Sequence, residues 1–332
     1  MYYLKKLGHQ ELGSIGADGK PQRGRYIYIS SDRNVLSLFP PLTTSALNDN
    51  ALLAIIPLYD GNKVYCNYVY HNDKFFTGEK NGRNEYRLYL NKELEHNSLL
   101  FQVGDIILFK KEDMIFDNEH QNVYFMARIT PQDVALYTQC SAIINSSGIR
   151  GDHAIATILL PQIEEQISAI KQNNNIEVSI GQDVTNAIIK QNETREDSTS
   201  AIASLFNATS FRDFVMTGYG NRCAITGNVI KWNNYNNLEA AHIYPRSHGG
   251  EFLPSNGIAM CRDLHWAFDK GFFTINDDFT VKVHDDIDSD FLREFDGQQI
   301  RLPEDPFFIP NKDNLKYHRD NVFGLFRTTG RL

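Results

Sequence analysis

Between Leu238 and Gly271 the chain reads LEAAHIYPRSHGGEFLPSNGIAMCRDLHWAFDKG, with Asn256 and His265 at offsets of 14 and 23 from His242. Phosphodiester hydrolysis needs a base to activate water and a cation to neutralise charge on the phosphate and the departing oxygen. His242 is the candidate base, because imidazole titrates near neutral pH. Asn256 can hold the intervening loop through its amide and orient His242, and His265 is the candidate metal ligand. The set is the one a single-metal phosphodiester-cleaving site requires.

These side chains need a strand, a loop and a helix to position them. The run Leu238 to Ile243 is apolar and strand-like, it carries His242, and Pro245 ends it. A Gly/Ser loop leads to Asn256, and an apolar-periodic segment then puts His265 and Asp269 four apart on one helical face. Asp269 is there either to receive the other N–H of the His265 ring or to hold the helix end. Upstream, Ser210 and Asp213 read as a capping box before a helix whose apolar face is Phe211, Phe214, Val215 and Tyr219. Downstream, residues 272–283 read as a hairpin turning at Asp277 and Asp278. Thr226 stands where a zinc knuckle would place a second cysteine after Cys223, and Cys261 also lacks a partner at zinc spacing. Both thiols are expected in the core, with no structural zinc.

The chain has 332 residues, 42% hydrophobic and 22% charged, a globular composition long enough for two domains. It has no run of 18 apolar residues and no signal-like start, so a soluble cytoplasmic protein without a membrane partner is expected. Four scattered cysteines fit reduced thiols. The net charge of −8 weighs against a nucleic-acid partner, but local basic patches decide that question. Such patches occur at Lys20, Arg23 and Arg25, at Lys74, Lys80, Arg83 and Arg87, and at Lys110 and Lys111.

Residues 1–150 hold many short β-rich runs separated by turn signals, which predicts a barrel or sandwich. Residues 151–205 read as a partly helical linker, with a helix of about 11 residues after Pro161 carrying Ile163, Ile167 and Ile170. Residues 206–332 form the second domain. In the first domain, Arg83, Glu85 and Arg87 alternate along one strand face, while Asn84, Tyr86 and Leu88 take the other. Arginine can bridge guanine O6 and N7 or hold a phosphate, and glutamate can accept from cytosine N4. A solvated salt-bridge ladder explains the same pattern.

Two resemblances bear on these readings. Gly24-Arg-Tyr-Ile-Tyr-Ile, Leu38-Phe-Pro, Val69-Tyr-His-Asn and Gly82-Arg-Asn-Glu-Tyr-Arg-Leu resemble the N-terminal effector domain of EcoRII-type restriction endonucleases, a DNA-binding pseudobarrel related to the plant B-three domain. That resemblance implies DNA contact by Arg83, Asn84, Glu85 and Arg87, and by the turn region of Lys20, Arg23 and Arg25. The family's Gly-His-Gln before the strand is Gly19-Lys20-Pro21-Gln22 here, so base specificity does not carry over.

Phe211 to Gly227, Glu239 to Pro245, Asn256-Gly-Ile and Leu264-His-Trp-Ala-Phe-Asp-Lys-Gly together resemble the HNH nuclease superfamily. Its ββα-metal fold grips one divalent ion. Where many HNH enzymes carry an aspartate ligand just before the base, this chain has Ala241. Glu239, two residues earlier on the same strand face, is then a metal ligand beside His265, or else a strand-end carboxylate in a salt bridge. His318 and Arg319 fall in the region matching the end of the same branch and are placed to touch phosphate.

The expected protein is α+β and two-domain, with an N-terminal β pseudobarrel and a C-terminal ββα-metal domain. It cuts double-stranded DNA at specific sites with one Mg²⁺ or Mn²⁺, as a homodimer if the target is palindromic. Two alternatives stand beside it. One is an endonuclease that requires methylated or hydroxymethylated cytosine, and the other is a DNA-binding regulator whose HNH domain is inactive.

Overall fold

The computed structural model describes residues 1–78, 84–96, 99–116, 119–147, 151–173, 176–193, 195, 197–233 and 235–326. Its contacts divide the chain into two compact units, Met1–Ala201 and Ile202–Leu332.

The first unit is built on one sheet of nine strands: β1 (Tyr2–Lys6), β2 (Tyr26–Ile29), β3 (Asn50–Pro57), β4 (Lys63–His71), β5 (Glu85–Tyr89), β6 (Ile106–Phe116), β7 (Glu119–Ile129), β8 (His153–Ala156) and β9 (Val178–Ser179). The order is β2-β5-β4-β3-β7-β6-β1-β8, with β9 also against β4. Pairs are antiparallel except β3 with β7 and β4 with β9. Aromatic and β-branched runs such as Lys63-Val-Tyr-Cys-Asn-Tyr-Val-Tyr-His suit a pleated surface buried on both faces. Their inward side chains build a core of Ile55, Tyr68, Leu88, Phe109 and Met126, in which Phe39 stacks on Tyr124 at 5.3 Å. Each such side chain contributes roughly 1.5–3 kcal/mol on burial.

The sheet curls, but β2 and β8 are the ends of its path, so it is an open half-barrel. The expectation of a pseudobarrel therefore stands only as a curled sheet in a mixed α+β unit. The segment expected as a linker contributes structure to this unit. β8 pairs with β1, β9 with β4, and the helix Pro161–Gln172 buries Ile163 and Ile167.

Among its described residues the second unit holds three hairpins: β10 (Lys231–Trp232) with β11 (Tyr235–Asn236), β12 (Leu238–His242) with β13 (Gly257–Cys261), and β14 (Phe273–Ile275) with β15 (Val281–Val283). The helix Ala208–Gly218 begins three residues earlier than the sequence suggested. Asn207 is the cap and Ser210 the third helical residue, since the Asn207 side chain accepts from Ser210 N at 3.0 Å and Ser210 Oγ accepts from Asn207 N at 2.9 Å. Phe211, Val215, Ala241, Ile258, Leu264 and Phe268 form the core between this helix, the β12–β13 hairpin and the helix Arg262–Asp269. Cys223 is buried in the same core, and Cys261 packs against it.

Candidate active site

Antiparallel register sets His242 opposite Gly257 and Glu239 opposite Met260. β13 runs directly into the helix Arg262–Asp269, so hairpin and helix present one cluster. His265 lies between two carboxylates: its Nδ1 is 2.7 Å from Glu239 Oε2 and its Nε2 is 3.3 Å from Asp269 Oδ2. The other Glu239 oxygen meets Arg262 Nε at 3.1 Å. Burial raises the Asp269 pKa, with the His265 ring pulling it back down.

His242 sits differently. Its ring stacks on Phe211 with centroids 4.2 Å apart and meets Phe252 edge-on at 5.6 Å. Burial between these rings, with the charge of Arg246 and the proximity of His265, lowers its pKa to about 4. The imidazole is therefore neutral at physiological pH. Its Nε2 is buried and has no hydrogen-bond partner. A cavity of about 530 Å³ is lined by His242, Arg246, His248, His265, Asp269 and Lys270, among others.

Asn256 is buried, and its side-chain hydrogen bonds go to backbone groups of the loop and not to the His242 ring. Its Oδ1 accepts from Tyr244 N at 2.8 Å, and its Nδ2 donates to Tyr244 O at 3.1 Å and Glu251 O at 3.0 Å. It closes the loop between β12 and β13 and so fixes the end of the strand that carries His242. Gly257 lets the neighbouring helix lie against that strand end, since a Cβ there would sit 2.4 Å from Val215 Cγ2.

His242, His265, Asp269 and Glu239 are thus brought together. Other expectations need correction. Arg25 is 5% exposed, with Nε and Nη2 on the Glu95 carboxylate at 2.8 and 2.6 Å and Nη1 on Leu12 O at 3.0 Å. Its guanidinium is buried and satisfied inside the first unit. His318 is also interior, stacked on Phe268 at 3.7 Å and bonded to Thr274 Oγ1 and Phe268 O at 2.9 and 3.1 Å. Arg319 is held by Ile275 O and Asp277.

Lys20, Arg23 and Asn84 are exposed, and Arg23 donates to Gln10 O. Arg83 lies outside the described residues. Arg87 and Glu85 pair with each other at 2.8 Å on β5, and Arg87 lies 4.4 Å over the Tyr26 ring. Arg246, His248 and Lys270, which the spacing of the histidine motifs does not single out, also line the cavity. For Arg246 and His248 the signal is the Pro245-Arg-Ser-His run between the two histidine motifs, while Lys270 directly follows the helix that carries His265.

Carboxylate oxygen and imidazole nitrogen are donors that suit a divalent cation. Among the described residues, however, no group of three or more His, Cys, Asp or Glu is arranged around a common ion position. Glu239 and His265 fit the group by chemistry, and a cation there would replace their mutual contact.

Comparison with known proteins places this geometry. Residues 223–276 match the HNH endonuclease family. This HNH domain contains the hairpin, the helix and all four clustered side chains. A modification-dependent TagI restriction endonuclease is a similar solved structure, at 26% identity and a TM-score of 0.28. That match covers 36% of this chain and 39% of the other, so this chain spans well under half of that protein. Among curated proteins none matches.

Proposed function

We propose that this chain is a site-specific double-stranded DNA endonuclease in which the HNH domain cuts and the first unit chooses where. The observation that carries this reading is the His242 ring, neutral, with an unpartnered buried Nε2, on the same cavity as His265 inside the HNH-matching segment. A neutral imidazole on the cavity wall keeps a ring nitrogen with a free lone pair, which can take a proton from water. Arg246 and Lys270 on the cavity wall would hold the phosphate, and Asn256 keeps the His242 strand end in place.

HNH nucleases generally use a divalent metal. Glu239 and His265 would hold it, and it would stabilise charge on the phosphate and the departing 3′ oxygen. Asp269, 3.3 Å from His265, would position the ring. By its resemblance to the EcoRII-type effector domain, residues 1–150 would read duplex DNA through Lys20, Arg23, Asn84, Glu85 and Arg87. A palindromic target cut on both strands would call for a homodimer.

Incubation of plasmid DNA with the full chain in Mg²⁺ or Mn²⁺ tests the reading. Wild type should cut, and His242→Ala should cut about 10²–10⁴-fold more slowly while still binding DNA. Equal inertness of the two proteins would leave a DNA-binding regulator instead. The same digestion on methylated and unmethylated plasmid separates a site-specific from a modification-dependent enzyme.

A further inference from the structure

The sheet face that carries Glu85 and Arg87 also walls a cavity. Register pairs Val69 with Arg87 and His71 with Glu85. Alternation along each strand therefore puts Asn67, Val69 and His71 of β4 on the same face as Glu85, Arg87 and Tyr89 of β5. β5 pairs with β4 from Tyr68 to His71, and β9 pairs with it only at Lys63 and Val64. On the side away from β3, no strand among the described residues pairs with β4 around Asn67. The helix Gln182–Asn192 lies over this part of the face and completes a cavity of about 400 Å³, lined by Asn67, Tyr89, Asn91, Asp183, Val184 and Ala187 among others. That volume falls within the range of small-ligand sites, about 300–1,000 Å³.

Three features of the wall define what would fill it. Asn67 is 3% exposed, and its Oδ1 has no hydrogen-bond partner. A buried amide oxygen without a donor is a standing cost to the fold, and the cavity is where a donor would come from. Tyr89 offers a flat ring on which a planar ligand can stack. Asp73 and Asp183 outnumber Lys190 among the lining groups, so the wall disfavours phosphate and favours a neutral ring bearing N–H.

We propose that this cavity takes a single nucleobase of the amino-bearing cytosine or adenine type, with Asn67 Oδ1 accepting from its N–H and Tyr89 against its ring. The base comes from DNA, turned out of the stack beside the strand that carries Glu85 and Arg87. That source rests on the reading above, in which the first unit meets duplex DNA.

Fluorescence anisotropy on the full chain, with chelator present to prevent cutting, tests the proposal. The probes are duplexes carrying one cytosine or adenine opposite an abasic site, and the fully paired duplex. Calorimetric titration with free 2′-deoxycytidine and 2′-deoxyadenosine runs alongside. Wild type should bind the unpaired-base duplexes about tenfold or more tightly than the paired one, the equivalent of one well-made contact. Asn67→Leu, which removes the acceptor, and Ala187→Trp, which fills the cavity from the helix side, should each bring them down to the paired level. Asn67→Leu should melt no lower than wild type, because an unpartnered polar atom is replaced by an apolar one of similar size.

Saturable binding of the free deoxynucleosides that both variants abolish, with no preference among the duplexes, would support the same base chemistry from a free source. An unchanged preference in both variants would overturn the proposal, as would no preference together with no nucleoside binding. If no duplex binds at all, the DNA-reading role of the first unit fails, and the nucleoside titration still decides the cavity.

Discussion

At the scale of single residues, the two histidines of the HNH domain differ sharply in their surroundings. His242 lies against Phe211 and Phe252 and stays neutral, while His265 is bracketed by Glu239 and Asp269. Glu239→Gln should therefore leave His242 unaffected and weaken divalent-ion binding by roughly 10–100-fold, read from the Mn²⁺ dependence of cutting and from Mn²⁺ calorimetry. Unchanged Mn²⁺ affinity would make Glu239 a salt-bridge residue only. Both histidines were legible in the sequence because their motifs are local and ordered. The role of Arg25 was not, because its partner Glu95 is 70 residues away and a basic residue near a turn looks like surface. Arg25→Ala leaves the Glu95 carboxylate buried and unpaired, and should cost about 3–5 kcal/mol of stability in urea unfolding.

At the scale of elements, the candidate site depends on how closely the helix Ala208–Gly218 lies against the β12–β13 hairpin. Gly257 permits that approach, and the Phe211 ring of the same helix is the surface on which His242 stacks. Gly257→Ala should destabilise the second unit by about 1–3 kcal/mol, through overpacking against Val215 and Phe211. It should also slow cutting, because the ring behind His242 must shift. Thermal melting and plasmid cleavage of the one variant check both halves. The hairpin, the His265 helix and the helix Pro161–Gln172 could be read from the sequence, since each shows its own periodicity over adjacent residues. Strand order could not. Nothing local tells β3 to lie parallel to β7, or marks Val178–Ser179 as a partner for β4. Those pairings are chosen by packing between distant segments, which is why the segment carrying β8 and β9 read as a linker.

At the scale of the whole molecule, stability should depend on pH through interior histidines. His318 is 1% exposed and its pKa is lowered to about 4, by burial first and by Arg319. The folded pKa lies below the unfolded value near 6.5, so between these limits the unfolded chain binds the extra proton. Stability is full above about pH 6.5, falls as the pH drops toward 4 and levels off below that, by on the order of 3 kcal/mol from this residue. Urea midpoints at pH 4.5 and 7.5 should show the loss, and a His318→Asn variant should show a flatter profile. β1 has a further consequence, in time. It lies between β6 and β8, paired at Tyr3 with Phe109 and with Ile155. On emerging from the ribosome this strand therefore stays unpaired until residues 106–109 are made, and keeps one open edge until residues 153–156 follow. At ordinary synthesis speeds that wait is on the order of ten seconds or more. Over that interval Tyr2, Tyr3 and Leu4, all buried in the finished fold, stand exposed as an unpaired apolar strand. Slowed translation between residues 6 and 153 should therefore raise the aggregated fraction more than the same delay placed after residue 201.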